Sequence, residues 1–342
     1  MRGIVIAGGF GTRLRPLTLT RPKPLMPLVN APLLEYQLTY LKEAGISEVC
    51  FATNYMADAV ERFFGDGSEL GLKIVYAVEK EPLDTGGAIR NAYDALPGDD
   101  CVIFNGDTIH AFDIKAIIDR HMEMQADITL TLKEVRRPHA YGVVPMDENQ
   151  RVLGFKEPTD EQKRNLSGPS EGTDAINAGL YVINKNILEM FPVGKSNVER
   201  EVFPKMIEGG KRVFGNLQRS YWIDIGRPTQ YLEAVRAVIS GDVGYARPFE
   251  VRGDSSIEKN TFIGNSVSVS QASSIGERVK VGEESVIKSS VLLEDVEIGK
   301  KAELTMCIVG ERSKIGNNVK MQNVVLGADS VIPDYSVLGE IP

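Results

Sequence analysis

The sequence predicts an α/β, Rossmann-like, mainly parallel sheet with helices on both faces, followed by a C-terminal parallel β-helix of hexapeptide repeats. Two observations predict it. Short apolar runs alternate with amphipathic ones up to about residue 240, and from about residue 251 an aliphatic residue recurs every six positions. Strand–helix alternation implies parallel strands covered on both faces. A six-residue period implies a coil of short strands stacked on one another.

The 342 residues leave room for two domains of about 100–200 residues each, and the change of period puts them at 1–245 and 251–342. A net charge of −8 argues against a nucleic-acid partner, which calls for a basic face. Cys50, Cys101 and Cys307 are odd in number and lack metal-ligand spacing, so they read as reduced, mostly buried thiols. No run reaches the roughly 18 apolar residues of a membrane span. No charged-then-apolar leader precedes the first strand, and a cytoplasmic protein is expected.

In chain order, residues 4–7, 49–53, 74–78 and 102–105 are apolar runs that read as buried strands. Residues 32–44 put Leu34, Leu38 and Leu41 on one helical face, with Pro32 suited to a first turn and Gly45 to the stop. Residues 56–64, 86–95 and 113–122 read likewise. In such sheets ligands bind beyond the carboxyl ends of the strands.

The second region runs Ile257, Ile263, Val269, Ile275, Val281 and Ile287, then Leu292, Ile298, Leu304, then Val309, Ile315, Met321, then Leu326, Ile332, Leu338. Its restarts at 275, 292, 309 and 326 are 17 apart, so one coil is 6 + 6 + 5 residues. Glycine follows several of these positions: Gly264, Gly276, Gly282, Gly299 and Gly316.

Gly8-Gly9-Phe10-Gly11-Thr12-Arg13-Leu14 follows the first strand directly. Its glycines let main-chain amides approach a phosphate closely. Leu14 stands where a dinucleotide fingerprint needs its third glycine, and no Gly-Lys-Ser/Thr follows, so neither a dehydrogenase nor a P-loop ATPase fits. Pro16, Pro22, Pro24, Pro27 and Pro32 then stiffen the chain. Arg13 and Lys23 are the cations such a loop would hold against a triphosphate.

This opening, with Arg21-Pro22-Lys23-Pro24-Leu25, resembles the signature of the sugar-1-phosphate nucleotidyltransferases. The resemblance runs through the whole chain and is closest to the mannose-1-phosphate guanylyltransferases. It implies transfer of a nucleoside monophosphate, GMP from GTP, to mannose 1-phosphate, with release of pyrophosphate. A left-handed coil is what hexapeptide families imply.

The resemblance also implies site residues. Ala7, Gly8, Gly9, Gly11, Thr12 and Arg13 would meet the nucleotide, with Thr85 and Gly86 of the segment 83–88, and Asn105. Asp107 and Asp224, in Asn105-Gly106-Asp107 and Trp222-Ile223-Asp224-Ile225-Gly226, would hold Mg²⁺ through hard oxygen ligands. Glu79, just ahead of the 83–88 segment, offers a carboxylate to a guanine N1–H and amino group. Gly142, Lys156, Glu157 and Asn177 would line the sugar phosphate pocket, together with Lys23. Here the chain departs from the family: it reads Lys156-Glu157-Pro158 where Glu-Lys-Pro is usual. Asp84 is a smaller departure.

Catalysis would then rest on Arg13, Lys23, Asp107 and Asp224, by positioning and charge neutralisation. A phosphate monoester has its second pKa near ~6 and needs no general base; none of His110, His121 and His139 forms a recognisable pair. Three other readings stand beside this one. An acetyltransferase would use a histidine, and residues 251–342 contain none. A non-catalytic sugar-nucleotide sensor would lack some of the four residues just named. The same reaction with glucose 1-phosphate and UTP, dTTP or ATP stays open. The repeat further implies a homo-oligomer, because a coil ends in unpaired strand edges.

Overall fold

The structure is a computed structural model that describes residues 1–29, 31–136, 141–156, 172–244 and 249–339. It forms two compact units: Met1–Gly9 with Gln37–Trp222, and Phe10–Tyr36 with Ile223–Pro342. The contacts therefore divide the chain elsewhere than the change in sequence period does.

The first unit is built on a seven-stranded sheet. Its strands are β1 (Arg2–Ile6), β2 (Glu48–Thr53), β3 (Lys73–Val78), β4 (Cys101–Asn105), β5 (Ile128–Arg136), β6 (Thr173–Ile183) and β7 (Val213–Gln218), in the order β7-β5-β6-β4-β1-β2-β3. The pairs β1–β2, β2–β3, β1–β4 and β5–β7 are parallel, and β6 runs against both of its neighbours. The apolar runs of β1, β2 and β4 are largely buried on both faces, as parallel strands require, whereas β3 at the sheet edge leaves Val78 52% exposed.

Helices α1 (Leu33–Glu43), α2 (Ala57–Phe64), α3 (Asp84–Ala95) and α4 (Ile114–Glu123) follow in turn. Leu38 and Leu41 of α1 are at most 1% exposed, and Gly45 takes φ +82° at its end. In α3, Ala88, Ile89, Ala92 and Tyr93 are buried and join Ile4, Ile103 and Leu130 in the core. Because Ile6 stands opposite both Ala52 and Asn105, and Ala52 opposite Ala77, these four strands end level. Their ends deliver Ala7, Asn54, Glu79 and Asn105 to one edge of the sheet.

The second unit holds the proline-rich segment, helix α5 (Pro228–Ser240) and the coils. Ile257, Ile275, Leu292, Val309 and Leu326 stand in register along one sheet, Ile263 to Ile332 along a second and Val269 to Leu338 along a third. All fifteen residues of the sequence period lie in or against one core, which Val279, Val296, Ala302, Cys307 and Val319 complete. The glycines are explained by packing. A Cβ on Gly282 would stand 2.6 Å from the Gly299 carbonyl carbon, and one on Gly299 would stand 2.6 Å from that of Gly316. Positive φ falls instead on other corner residues such as Arg278, Asp295 and Arg312.

Candidate active site

In the first unit, Ala7 still donates its N–H to Ala52 O at 2.8 Å, so the β1 ladder runs out at Gly8. A Cβ on Gly8 would stand 3.3 Å from Asn54 Cβ and 3.6 Å from Glu79 Oε1, whereas Gly9 faces open space. Glu79 is 9% exposed, and its Oε2 accepts the Leu83 N–H at 3.0 Å. Burial raises its carboxyl above the usual range; the Leu83 N–H opposes the shift and the charge of Asp84 adds to it. A buried carboxylate is thus fixed beside the glycine that ends β1.

Helix α3 opens against residues 194–198. Asp84 sits at φ +58°, and its Oδ1 accepts the Thr85 N–H at 2.7 Å and the Asn197 amide at 3.1 Å. The Thr85 hydroxyl oxygen accepts the Val198 N–H at 3.1 Å. Gly86 and Gly87 both donate their N–H to Ser196 O, at 2.7 and 3.2 Å. A Cβ on Gly86 would stand 2.6 Å from Ser196 Oγ, and one on Gly87 would collide with the Gly194 carbonyl oxygen. The Thr-Gly-Gly run is therefore needed for this close approach, and the first amides of the helix are spent on protein acceptors.

At the end of β4, Gly106 is pressed onto β1: its N–H reaches Ile6 O at 2.8 Å, and a Cβ would stand 2.6 Å from that oxygen. The Asn105 side chain lies over Gly179, which has φ +74°. Asp107 follows, half-buried. It shares its surroundings with Tyr181, whose hydroxyl is pushed far up by burial and by the charge of Glu199; Asn177 opposes and Asp107 adds.

Asn177 Nδ2 donates to Tyr181 Oη at 2.7 Å and to Glu199 Oε1 at 2.6 Å, and its Oδ1 accepts the Gly179 N–H at 3.0 Å. The amide thus holds a carboxylate in place. Sequence reasoning missed Glu199. It lies in a π-helical turn, Val198–Val202, whose cap Asn197 accepts the N–H of Glu199 and of Arg200 at 3.0 Å. That cap was a readable signal for the turn, but nothing in the sequence ties Glu199 to Asn177.

Val143 and Lys156 exchange backbone hydrogen bonds of 2.8 Å, and Val144 N–H reaches Ala175 O at 2.8 Å. Isolated bridges from Val143 to Lys156 and to Ile176 thereby set Gly142 and Lys156 beside the strand that carries Asn177; the Lys156 side chain is exposed. Beside them the rings of Tyr141 and Trp222 lie 5.9 Å apart, and Trp222 Nε1 donates to Ala178 O at 2.9 Å. Glu157 and His139 lie outside the described residues.

In the second unit, Gly11 takes φ +59° and its carbonyl accepts the Thr18 hydroxyl at 2.8 Å. Thr12 and Arg13 follow in a single 3₁₀ turn, both exposed. Lys23 is 8% exposed, and a Cβ on Gly11 would stand 3.2 Å from its Cβ. The Arg13 guanidinium lies against Gly226, where an added Cβ would stand 2.8 Å from one of its nitrogens. Gly226 in turn donates its N–H to Asp224 O at 2.9 Å and to Gln230 Oε1 at 3.1 Å. Arg13 and the segment carrying Asp224 are thus packed together, and the glycine of the Trp-Ile-Asp-Ile-Gly run is there to admit the guanidinium.

Asp107 and Asp224 are half-buried carboxylates at strand ends. Hard oxygen donors of this kind suit a small divalent cation. Among the described residues no three or more His, Cys, Asp and Glu side chains form a metal-holding group.

A family described as nucleotidyl transferase matches residues 2–241, and one described as the GMPPB C-terminal domain matches residues 251–340. The chain is 35% identical over 297 residues, 86% of its length and 80% of the relative's, to a mannose-1-phosphate guanylyltransferase of Mycobacterium tuberculosis. It is 37% identical over 235 residues to the D-glycero-alpha-D-manno-heptose 1-phosphate guanylyltransferase of Aneurinibacillus thermoaerophilus, covering 68% of this chain and 96% of that one. The crystal structure of HddC from Yersinia pseudotuberculosis complexed with GMP-PN is similar at a TM-score of 0.58 and 30% identity, over 69% of this chain and 98% of that one. A match over residues 2–241 takes in more than half of the chain, which therefore belongs to the nucleotidyl transferase family.

Proposed function

We propose that the protein transfers GMP from GTP to mannose 1-phosphate and releases pyrophosphate. The observation that carries the choice of base is the buried Glu79 carboxylate with one oxygen toward Gly8. Guanine presents an N1–H and a 2-amino group side by side, two donors for one carboxylate. Adenine offers an acceptor at N1, and uracil and thymine offer one N–H between carbonyls. A group that burial penalises gains most from the base that supplies both donors.

In the reaction a sugar phosphate oxygen forms its bond to the α-phosphorus while the bond from that phosphorus to the bridging oxygen of pyrophosphate breaks in line. The nucleophile is already a dianion at neutral pH, so no proton has to leave it. Arg13 neutralises the departing phosphates, and Lys23 acts between the α-phosphate and the sugar phosphate. Asp107 and Asp224 would hold Mg²⁺, which when bound supplies further positive charge to the phosphates. Gly142, Lys156 and Glu157 serve the sugar phosphate side. Asn177 serves it by presenting Glu199, whose carboxylate can accept from sugar hydroxyls.

The test is pyrophosphate release from mannose, glucose and D-glycero-α-D-manno-heptose 1-phosphates, each with GTP, ATP, UTP, dTTP and CTP. GTP with mannose 1-phosphate should give the highest kcat/KM. Preference for UTP or dTTP with glucose 1-phosphate would overturn the substrate choice, and heptose preference would overturn the sugar. Asp107→Ala and Lys23→Ala should abolish turnover in folded protein; near-normal rates in both would sink the mechanism.

The protein is further proposed to work in the cytoplasm as a homo-oligomer. Cys50, Cys101 and Cys307 are unpaired, and burial pushes the first two thiols up to about 12. The last coil exposes Val331, Tyr335 and Val337 by 71%, 74% and 64%, an apolar edge suited to a second copy. Sedimentation at micromolar concentration checks this, and a monomer there would end the assembly reading.

A further inference from the structure

Residues 10–36 share a compact unit with the C-terminal coils, and side chains far apart in sequence tie them together. Glu294 and Glu311 occupy the same corner of consecutive coils, 17 residues apart. Glu294 pairs with the Arg21 guanidinium. Glu311 Oε1 accepts the Thr20 hydroxyl at 3.1 Å. On the following coil Gly327 faces Pro16, where an added Cβ would stand 3.1 Å from Pro16 Cβ. From α5, the Tyr231 hydroxyl donates to the Pro27 carbonyl. Lys23 lies between these anchors.

The coil supplies its own control. Glu277 occupies the same corner one coil earlier, is exposed, and pairs at 2.8 Å with Arg278 beside it. Glu311 is 4% exposed, so its carboxylate has lost its water. Repeat architecture does not ask for a buried acid at an outer corner, and such a group costs stability unless a partner bonds it. Its partners are the Thr20 hydroxyl of the loop that carries Lys23, at 3.1 Å, and the more distant Arg312 guanidinium beside it, at 3.9 Å.

We propose that Glu294 and Glu311 are positioning residues for nucleotidyl transfer: through Arg21 and Thr20 they hold the cation-bearing loop in its working geometry. The proposal rests on the reaction proposed above. It gives the β-helix a part in turnover that is separate from assembly, because the two acids act through neighbours of Lys23 within one chain. Loss of either contact leaves Lys23 present but less well held, and misplacement of about 1 Å can cost ~10²-fold in rate.

The experiment uses the full-length chain with Glu294→Gln, Glu311→Gln and, as control, Glu277→Gln. Steady-state kinetics are read beside hydrogen exchange of residues 10–29, sedimentation and melting temperature. Glu294→Gln and Glu311→Gln should lower kcat about tenfold or more while KM moves less, and should speed exchange in residues 10–29 at unchanged mass. Glu277→Gln should behave as wild type. Thr20→Val removes the hydroxyl from the other side of the contact and should repeat the Glu311→Gln result, including where Glu311→Gln fails to fold. Wild-type kcat in the Gln variants overturns the positioning role, and so does an equal fall in Glu277→Gln. Unchanged exchange in residues 10–29 overturns the docking whatever the activity. A wild-type chain inert to every substrate pair overturns the reaction instead, and the exchange measurement still decides the docking.

Discussion

Gly226 carries no functional group, yet the packing of Arg13 depends on it. A methyl group there would stand 2.8 Å from the guanidinium, which must swing away. Gly226→Ala should therefore lower kcat by about ten- to a hundredfold with little change in melting temperature, as steady-state kinetics and a thermal melt would show. A rate close to wild type would mean that Arg13 works from another position. His110 poses a different question. It is 1% exposed, its ring centroid is 4.5 Å from that of Phe112 and 5.6 Å from that of Phe104, and burial pushes its pKa down from 6.5 to about 3. The folded state thus binds fewer protons than the unfolded chain between those values. Stability is intact above about pH 6.5 and falls as pH drops toward about 3, by up to ~1.4 kcal/mol per pH unit. His110→Phe should flatten the melting-temperature profile between about pH 6 and 4; an unchanged slope would assign the loss to carboxylates. At this scale, phosphate chemistry limits which side chains can serve, and that limit is what let the sequence put Arg13, Lys23, Asp107 and Asp224 forward as candidates. Gly226 and Glu199 were not, because their roles depend on Arg13 and Asn177, which lie far away in sequence.

The coils show which elements a period can reveal. An inward aliphatic every six residues was visible because each coil repeats the same burial, and the register pairs Ile298 with both Val281 and Ile315. What the period did not reveal is why glycine follows these positions: φ would have been the obvious guess, and the cause is the approach of the next coil. The opening of α3 teaches the same lesson. Thr85, Gly86 and Gly87 read as a ligand loop, and their backbone and hydroxyl are engaged by residues 194–198. Along the outside of the coils run ion pairs 17 residues apart, such as Arg278–Asp295 at 2.7 Å and Arg312–Asp329 at 2.8 Å. Exposed pairs of this kind are screened by water and contribute little. Raising salt to about 1 M, where the screening length is ~3 Å, should barely move the melting temperature of the full chain. Ile298→Ala, which removes a side chain only 4% exposed, should cost about 2–5 kcal/mol. A melt more sensitive to salt than to this substitution would place the strength of the coil in its charges.

The switch from mixed to six-residue periodicity made two regions visible, and it put the proline-rich opening with the sheet that precedes and follows it. The contacts assign that opening to the unit of the coils, through partners 273 and 291 residues away. No local pattern announces such a pairing, because nothing in the run around Thr20 and Arg21 points to Glu311 and Glu294. The two views differ in what they expect of a chain ended at residue 244. If residues 1–245 are self-sufficient, it should fold and turn over substrate with only its assembly changed. If residues 10–36 depend on the coils, the cut divides a compact unit: Arg21 and Thr20 lose their acidic partners, and Pro16 loses Gly327. The second outcome is expected. The shortened chain should melt more than about 5 °C below the full chain, a loss of roughly 2 kcal/mol at this size. Its kcat should fall about tenfold or more, with fast hydrogen exchange in residues 10–29. Comparing the two chains at dilutions where both sediment as monomers removes assembly from the comparison. Equal melting temperature and equal kcat under those conditions would return the opening loop to the sheet.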